Sequence, residues 1–421
     1  MTIPALGSAV TGLDSEQTAM DVIGNNIANA STTGFKASEV SFQEAFAQML
    51  QGASGPTGTM GGTNPMQVGA GTQVGSIDQL FTQGTLDNTG VNTNLAIQGN
   101  SFFVVDNGQQ QIYTRDGDFQ FDAQGNLTMS GSGYIVQGIM ANAAGDLTAA
   151  TSLTNITIPP NMQSPAKATT TATLSGNLDA GATAGTTYEM GITTYDSTGA
   201  PQALQLTFTN TAPGTWTWAA SVGGTPPTGT ITSGGTGTAT FNGNGSLASF
   251  TGGAPLVITP TGGGTPISMT LNAGTVNGLT GLTGFAETSN AAVASQDGYQ
   301  AGTLSSVSIN SDGILVGSFS NGQTQDLAQV GLARFSNPGG LEDTSDNTFA
   351  QSANSGQATI GFAGTSDPSS ITAGALENSN VDLSTEFSNM IVAERAYQAD
   401  AEVVTTANTM LSTLVSLPSQ A

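Results

Sequence analysis

The sequence predicts a multidomain α+β fold, in which terminal helices form a coiled-coil-like core and two mainly β globular domains are inserted between them. Three observations carry this reading. Both chain ends repeat apolar residues every seven positions. Two inner blocks alternate with period two and are punctuated by Asp-Gly and Asn-Gly turns. Between those blocks, about residues 160–285 are dominated by Thr, Gly and Ala yet keep strand signals of their own.

At the N-terminal end, Ile3, Val10, Gln17 and Gly24 recur every seven residues, and Leu6, Leu13, Met20 and Ile27 form the matching set three positions on. That spacing is the a/d seam of a helix that packs along another helix. Pro4 falls in the first turn, where a missing N–H costs nothing. The helix then runs into "GNNIANASTTGFK", rich in amides. At the C-terminal end, Leu383, Met390, Tyr397, Val404 and Leu411 repeat with period seven, and Phe387, Ala401 and Val415 lie four positions after members of that set. Asp382 is placed to cap this helix and Pro418 to stop it.

The first inner block, "LAIQGNSFFVVDNGQQQIYTRDGDFQFDAQGNLTM", reads as several strands broken at Asn107-Gly108, Asp116-Gly117 and Gly125-Asn126. The second, "SVSINSDGILVGSFSNGQTQDLAQVGLARF", turns at Asp312-Gly313 and Asn321-Gly322. In the middle stretch Leu204, Leu206 and Phe208 alternate before Pro213-Gly214, and Trp216 and Trp218 alternate after it, so this is a β domain with long Gly-rich loops. Residues 51–73, glycine-rich with Pro56 and Pro65 and without any period, are expected to form no regular element and to serve as a linker or extended arm. The resulting division is residues 1–34 as the N-terminal core helix and 35–75 as linker and arm. Residues 76–158 with 287–370 make a discontinuous first β domain, 159–286 an outer β domain, and 371–421 the C-terminal core helix.

Composition excludes whole classes of function. Only five basic residues, Lys36, Arg115, Lys167, Arg334 and Arg395, face 29 acidic ones, for a net charge of −24, and charged residues are just 8% of the chain. Such a balance argues against nucleic acid and against anionic lipid. No cysteine and no histidine are present, which removes thiolate metal sites and the commonest general base together. The chain lacks an apolar run of the ~18–20 residues that a membrane-spanning helix needs. Its first residues carry neither a basic segment nor a compact apolar one, so no cleaved signal peptide is expected.

The search for chemistry ends without a site. Asp116, Asp118 and Asp122 lack the ligand spacing of a calcium loop and read as turn aspartates. Lys36, with Glu39 three residues on, reads as one half of a local ion pair. No strand, glycine-rich loop and helix stand in the order a nucleotide site needs. No catalytic, cofactor-binding or metal-binding residue is assigned, and the chain is expected not to be an enzyme.

The ends supply the positive signal. "LGSAVTGLDSEQTAMDVIGNNIANASTTGFKAS" resembles the N-terminal signature of the rod and hook axial proteins of the bacterial flagellum, and residues 374–417, "GALENSNVDLSTEFSNMIVAERAYQADAEVVTTANTMLSTLVSL", resemble their C-terminal signature. "NMIVAERAYQ" and a length with room for an extra middle domain favour the hook branch. "LAIQGNSFFVV", "YTRDGDF" and "INSDGILVGSFSNGQTQDLAQVGLARFSNPGGLE" resemble that branch's first globular domain, with Ser101 standing where the family usually has glycine. The resemblance implies a structural, self-assembling subunit of a curved tube that transmits torque from rod to filament as a universal joint. It implies a homopolymer, with the distal rod, hook cap and hook–filament junction proteins as partners. It also implies export through the flagellar type III apparatus to an extracellular place in the flagellum, with no cofactor and no membrane insertion. The competing readings are a distal rod protein and an extracellular β-rich adhesin or carbohydrate-binding protein.

A helix pair from the two ends offers about a dozen seam side chains at ~1.5–3 kcal/mol each when fully buried, whereas ordering the terminal residues costs ~1–2 kcal/mol apiece in backbone freedom. Burial must then come from neighbouring copies. The expected polymer interface is Ile3, Leu6, Val10, Leu13, Met20, Ile27, Asn25, Asn26, Asn29, Leu383, Phe387, Met390, Arg395, Tyr397, Val404 and Leu411. The three amides would satisfy the helix end's last carbonyls without bringing like charges together.

Overall fold

The computed structural model describes residues 4–56, 58, 61–142, 145–148, 152–224 and 227–416. The chain divides into two compact units, Met1–Pro160 with Val307–Val316 and Gln325–Ala421, and Asn161–Ser306 with Gly317–Thr324.

Unit 1 holds both helices. Helix α1 spans Pro4–Ala28 and helix α2 Leu383–Ser416. As its sequence predicts, Asp382 caps α2: its Oδ1 accepts from Ser384 N at 2.9 Å and its C=O from Glu386 N at 2.9 Å. After α1 come four strands, β1 (Ser38–Glu44), β2 (Ala47–Gln51), β3 (Met66–Gly69) and β4 (Thr72–Gln79). They form one antiparallel ribbon. β1 pairs β4 from Ser38↔Gln79 to Glu44↔Thr72, β2 pairs β3 from Ala47↔Gly69 to Gln51↔Met66, and Ser54 bridges Thr63.

The expectation that residues 51–73 form no regular element is therefore corrected. Glycine weakens a strand but leaves its backbone donors and acceptors intact, so the register set by β1 and β4 runs on into a segment with little apolar pattern.

The globular part of unit 1 follows the alternating blocks. Strands Phe102–Asp106, Gln111–Thr114, Phe119–Phe121 and Leu127–Met129 come from the first block, and Ile314–Phe319, Thr324–Val330 and Leu332–Arg334 from the second, of which Gly317–Thr324 is counted with unit 2. The turns fall at the expected glycines, with Gly108 at φ 84°, Gly125 at 88° and Gly313 at 70°. Phe81, Phe102, Tyr113, Phe335 and Phe349 pack edge to face at centroid distances of 4.7–6.0 Å in its core.

Unit 2 places two sheets over one core. The first is a meander of Thr187–Tyr195, Pro201–Ala212, Thr215–Val222, Thr236–Phe241 and Leu247–Phe250. The second contains Thr171–Asn177, Gly229–Ser233, Leu256–Pro260 and Ile267–Asn272. Leu204, Leu206, Phe208, Trp216 and Trp218 all point into that core together with Leu174, Ile258 and Met269. Period-two alternation put them on one face, and the second sheet covers that face.

Candidate assembly surface

The two helices of unit 1 pack antiparallel. Gly12 lies against the Asp400 carboxylate, and Asn26 Nδ2 donates to Glu386 Oε1 at 3.2 Å, so residue numbers rise along one helix as they fall along the other. Gly12 matters here because any side chain would meet that carboxylate. Apart from Asn26, the buried positions are small: Ala9, Ser15 and Ala19 on α1, Ala393 and Ala407 on α2. Small residues let the two backbones approach closely.

The close face of α1 is consequently one residue away from the large apolar series, a turn of about 100° around the helix. Leu6, Leu13, Met20 and Ile27 are half-buried and Val10 is 45% exposed. On α2, Met390, Tyr397, Val404 and Leu411 are half-buried on the side facing α1. Leu383 and Phe387 are exposed, as are Ile391 and Val392, the last at 68%. Ile3 lies outside the described residues. So do the side chain of Val415 and the stop expected at Pro418.

The amide cluster acts largely within the chain. Asn26 is buried; its Nδ2 donates to Ser38 O at 2.8 Å and its Oδ1 accepts from Ser38 N at 3.0 Å, fixing the end of α1 to the start of β1. Asn29 Nδ2 donates to Asn25 O at 3.0 Å and to Asn25 Oδ1 at 2.6 Å, adding a second donor to a carbonyl that already accepts from Asn29 N at 3.1 Å. Asn25 itself is exposed.

Where the connectors of both helices enter the β part of unit 1, a charge cluster is buried. Lys36 Nζ donates to Glu377 Oε1 at 2.6 Å and to Thr82 O at 2.8 Å, and Arg115 Nη1 donates to Glu377 Oε2 at 3.4 Å. All three side chains are sealed from solvent. Burial pushes Lys36 and Arg115 below their ordinary pKa values, against the opposing pull of Glu377. Gly34 N donates to Glu377 O at 2.7 Å, and Ala37 N to Asn380 Oδ1 at 2.8 Å, so the connectors also bond directly to each other. Gly34 has φ 69° and lies against the Arg115–Asp116 backbone, where a Cβ would come within 2.7 Å of Asp116 N.

The local ion pair expected of Lys36 with Glu39 is thus replaced by one with Glu377, 341 residues away. Local spacing carries no signal for a partner so distant. Ser101 is explained in the same region: it is buried, and its hydroxyl donates to the Asp367 carboxylate at 2.7 Å and pairs with Ser369 Oγ at 2.9 Å.

Two further surfaces are open. The ribbon exposes Phe42, Phe46, Met49, Leu50, Met66, Val68 and Ile77, with Phe46 at 80%. On the exposed side of α2, Arg395 Nη1 donates to Gln398 Oε1 at 3.1 Å, and among the described residues it forms no ion pair. Beside the helix pair, burial and the facing Asp400 charge raise Glu16 above the usual carboxylate range. Among the described residues no group of three or more potential ligands is arranged to hold a metal ion, and no helix is long and apolar enough to cross a membrane.

Unit 1 thus leaves large apolar side chains exposed on its ribbon and on its helix pair, both tied to the β part by the buried Lys36–Glu377–Arg115 cluster. Comparison with known proteins shows the family. The flagellar hook protein FlgE of Treponema pallidum is 38% identical, covering 98% of this chain and 99% of its own length. The chain belongs to the flagellar hook protein FlgE family. FlgE of Borreliella burgdorferi and of Escherichia coli K12 are each 36% identical over 98% of this chain.

Four family descriptions match along the chain. They are the flagella basal body rod protein over residues 6–36, the hook protein FlgE/F/G D1 domain over 96–170, the FlaE D2 domain over 161–299, and the FlgEFG protein C-terminal region over 372–417. The solved structure of Helicobacter pylori FlgE2 covers 69% of this chain at a TM-score of 0.49 and 15% identity. FlgE membership makes the chain a structural subunit of the flagellar hook and leaves the rod and adhesin readings unsupported.

Proposed function

We propose that the chain polymerises into the curved tube of the hook, a universal joint that passes torque from rod to filament, and that copies of itself complete the surfaces unit 1 leaves open. The observation that carries this reading is the mismatch between α1, α2 and the ribbon, which keep large apolar side chains in solvent, and unit 2, which covers its own core.

In the tube, residues 1–34 and 371–421 form the inner core, 35–75 an arm that docks on adjacent subunits, 76–158 with 287–370 the first β domain, and 159–286 the outer domain. Leu6, Val10, Leu13, Met20, Ile27, Leu383, Phe387, Met390, Tyr397, Val404 and Leu411, with Asn25 and Asn29, meet neighbouring chains. Arg395 pairs with Asp14, Glu16 or Asp21 of an adjacent copy. The distal rod, hook cap and hook–filament junction proteins bound the polymer, and the subunit leaves the cell through the flagellar type III apparatus.

Electron microscopy of the purified protein after salting-out tests the reading. Curved tubes are expected, and protein that stays monomeric under those conditions contradicts it.

A further inference from the structure

The chain holds so few cations that each can be followed to its place. Lys36 and Arg115 are buried on Glu377. Lys167 lies 3.5 Å from Asp297. Arg395 and Arg334 remain, and among the described residues neither forms an ion pair within the chain. Carboxylates are in large excess, 29 against five basic residues. Any ion pair between two copies must then draw its side-chain cation from Arg395 or Arg334, or break the Lys167–Asp297 contact.

Arg334 ends the strand Leu332–Arg334 in the β part of unit 1. It is exposed, whereas Leu332 and Ala333 before it are fully buried. Its register partner is Thr359, in the short strand Thr359–Gly361, which among the described residues pairs with no other strand and is exposed at Thr359 and Ile360. Ile360 on that strand is 37% exposed. The strand pair thus presents an exposed cation beside an exposed apolar side chain, in a chain whose acidic residues far outnumber its basic ones. An edge strand is ordinarily protected by charge or covered by a partner.

We propose that Arg334 docks on carboxylates of a second copy of this chain, giving the β part of unit 1 an inter-subunit contact separate from the helices. The proposal rests on the polymer reading above. In a helical polymer the contact is heterologous, so Arg334 meets an acidic patch elsewhere on the next subunit. Head-to-tail contacts of that kind build helical polymers.

The absence of cysteine makes the test clean. Arg334→Cys should react with a maleimide freely in the monomer and about tenfold or more slowly in the tube. In seeded growth at low ionic strength, where ion pairs are least screened, Arg334→Glu should raise the concentration needed for growth by about tenfold or more, and Arg334→Lys by far less. Thermal midpoints of the variant monomers should match the unaltered protein, because the side chain is exposed. Equal labelling in monomer and tube, or unaltered growth of Arg334→Glu, overturns the proposal while leaving the polymer reading standing. Failure of the unaltered protein to grow on seeds overturns the polymer reading, and the Arg334 contact with it.

Discussion

Unit 2 and unit 1 differ in how much apolar surface they leave open: unit 2 exposes Val276, Leu279 and Phe285 in its loops, whereas unit 1 exposes large side chains along its helices and ribbon. In unit 2 the buried face of each strand meets a second sheet, and Trp216, Trp218, Phe208 and Leu206 are all sealed inside. In unit 1 the aromatic core of the β part is closed as well, but Phe46, Met49, Leu50, Phe387, Ile391 and Val392 stand in solvent. The outer strands of the ribbon, β2 and β3, are exposed at every residue, and an isolated two-stranded ribbon is marginal on its own. The difference teaches where the proposed polymer contacts belong: on the helices and ribbon of unit 1, whose large apolar side chains the single chain leaves uncovered.

The largest effect should come from the joint that ties the β part of unit 1 to its helices and ribbon. Glu377→Ala leaves Lys36 and Arg115 buried without a counter-charge, a class of change that costs ~3–5 kcal/mol. Calorimetry should show the unit 1 transition falling sharply with the unit 2 transition unmoved. Coincident loss of both would erase the distinction between the units.

A smaller effect separates the units by pH. In unit 1, burial holds the Asp116 carboxyl up at about 6, against an ordinary 3.8. Its ionisation is harder folded than unfolded, so unit 1 should lose stability as pH rises from about 4 through about 6. Asp116→Asn should then stabilise unit 1 by about 1–3 kcal/mol at pH 7–8, which denaturant titration at two pH values would measure.

Asp297 in unit 2 has the opposite sign. Partial burial would raise it, but hydrogen bonds from Thr170 and Thr171 and the Lys167 charge outweigh that and hold it down at about 2. Its contribution is present above pH ~4 and is lost as pH falls through about 2. Tryptophan fluorescence should follow that loss, since Trp216 and Trp218 both lie in unit 2; an acid transition insensitive to Asp297→Asn would remove this part of the contrast.

The smallest effect on the monomer should accompany a large effect on the polymer. Deleting residues 53–66 removes the tip of the ribbon, with the Ser54–Thr63 bridge and the exposed Met66, and should leave both calorimetric transitions in place. Tubes should still form, with greater curvature and a shorter persistence length. Unchanged curvature and persistence length would reduce the ribbon to a tether.

Much of this was legible in the sequence because period and punctuation report local geometry. The alternation of Leu204, Leu206 and Phe208, the Asp382 cap and the glycine turns all depend on residues a few positions apart. Three features were not legible for stated reasons. The close face of α1 is made by Ala9, Gly12 and Ala19, and a reading that looks for large apolar residues selects the neighbouring stripe instead. The ribbon through residues 51–73 is held by backbone register inherited from β1 and β4, which composition does not display. Lys36, Arg115 and Glu377 meet from three separate parts of the chain, so no spacing connects them.

The central claim is that neighbours complete α1, α2 and the ribbon, and amide hydrogen exchange compared between monomer and tube tests it most directly. In the monomer, exchange should be fast along residues 4–28, 39–79 and 383–416 and slow in the strands of unit 2, with protection at the connectors around Lys36 and Glu377. In the tube, those three fast segments should become protected while unit 2 changes little. Helices and ribbon already as protected in the monomer as in the tube would contradict the account.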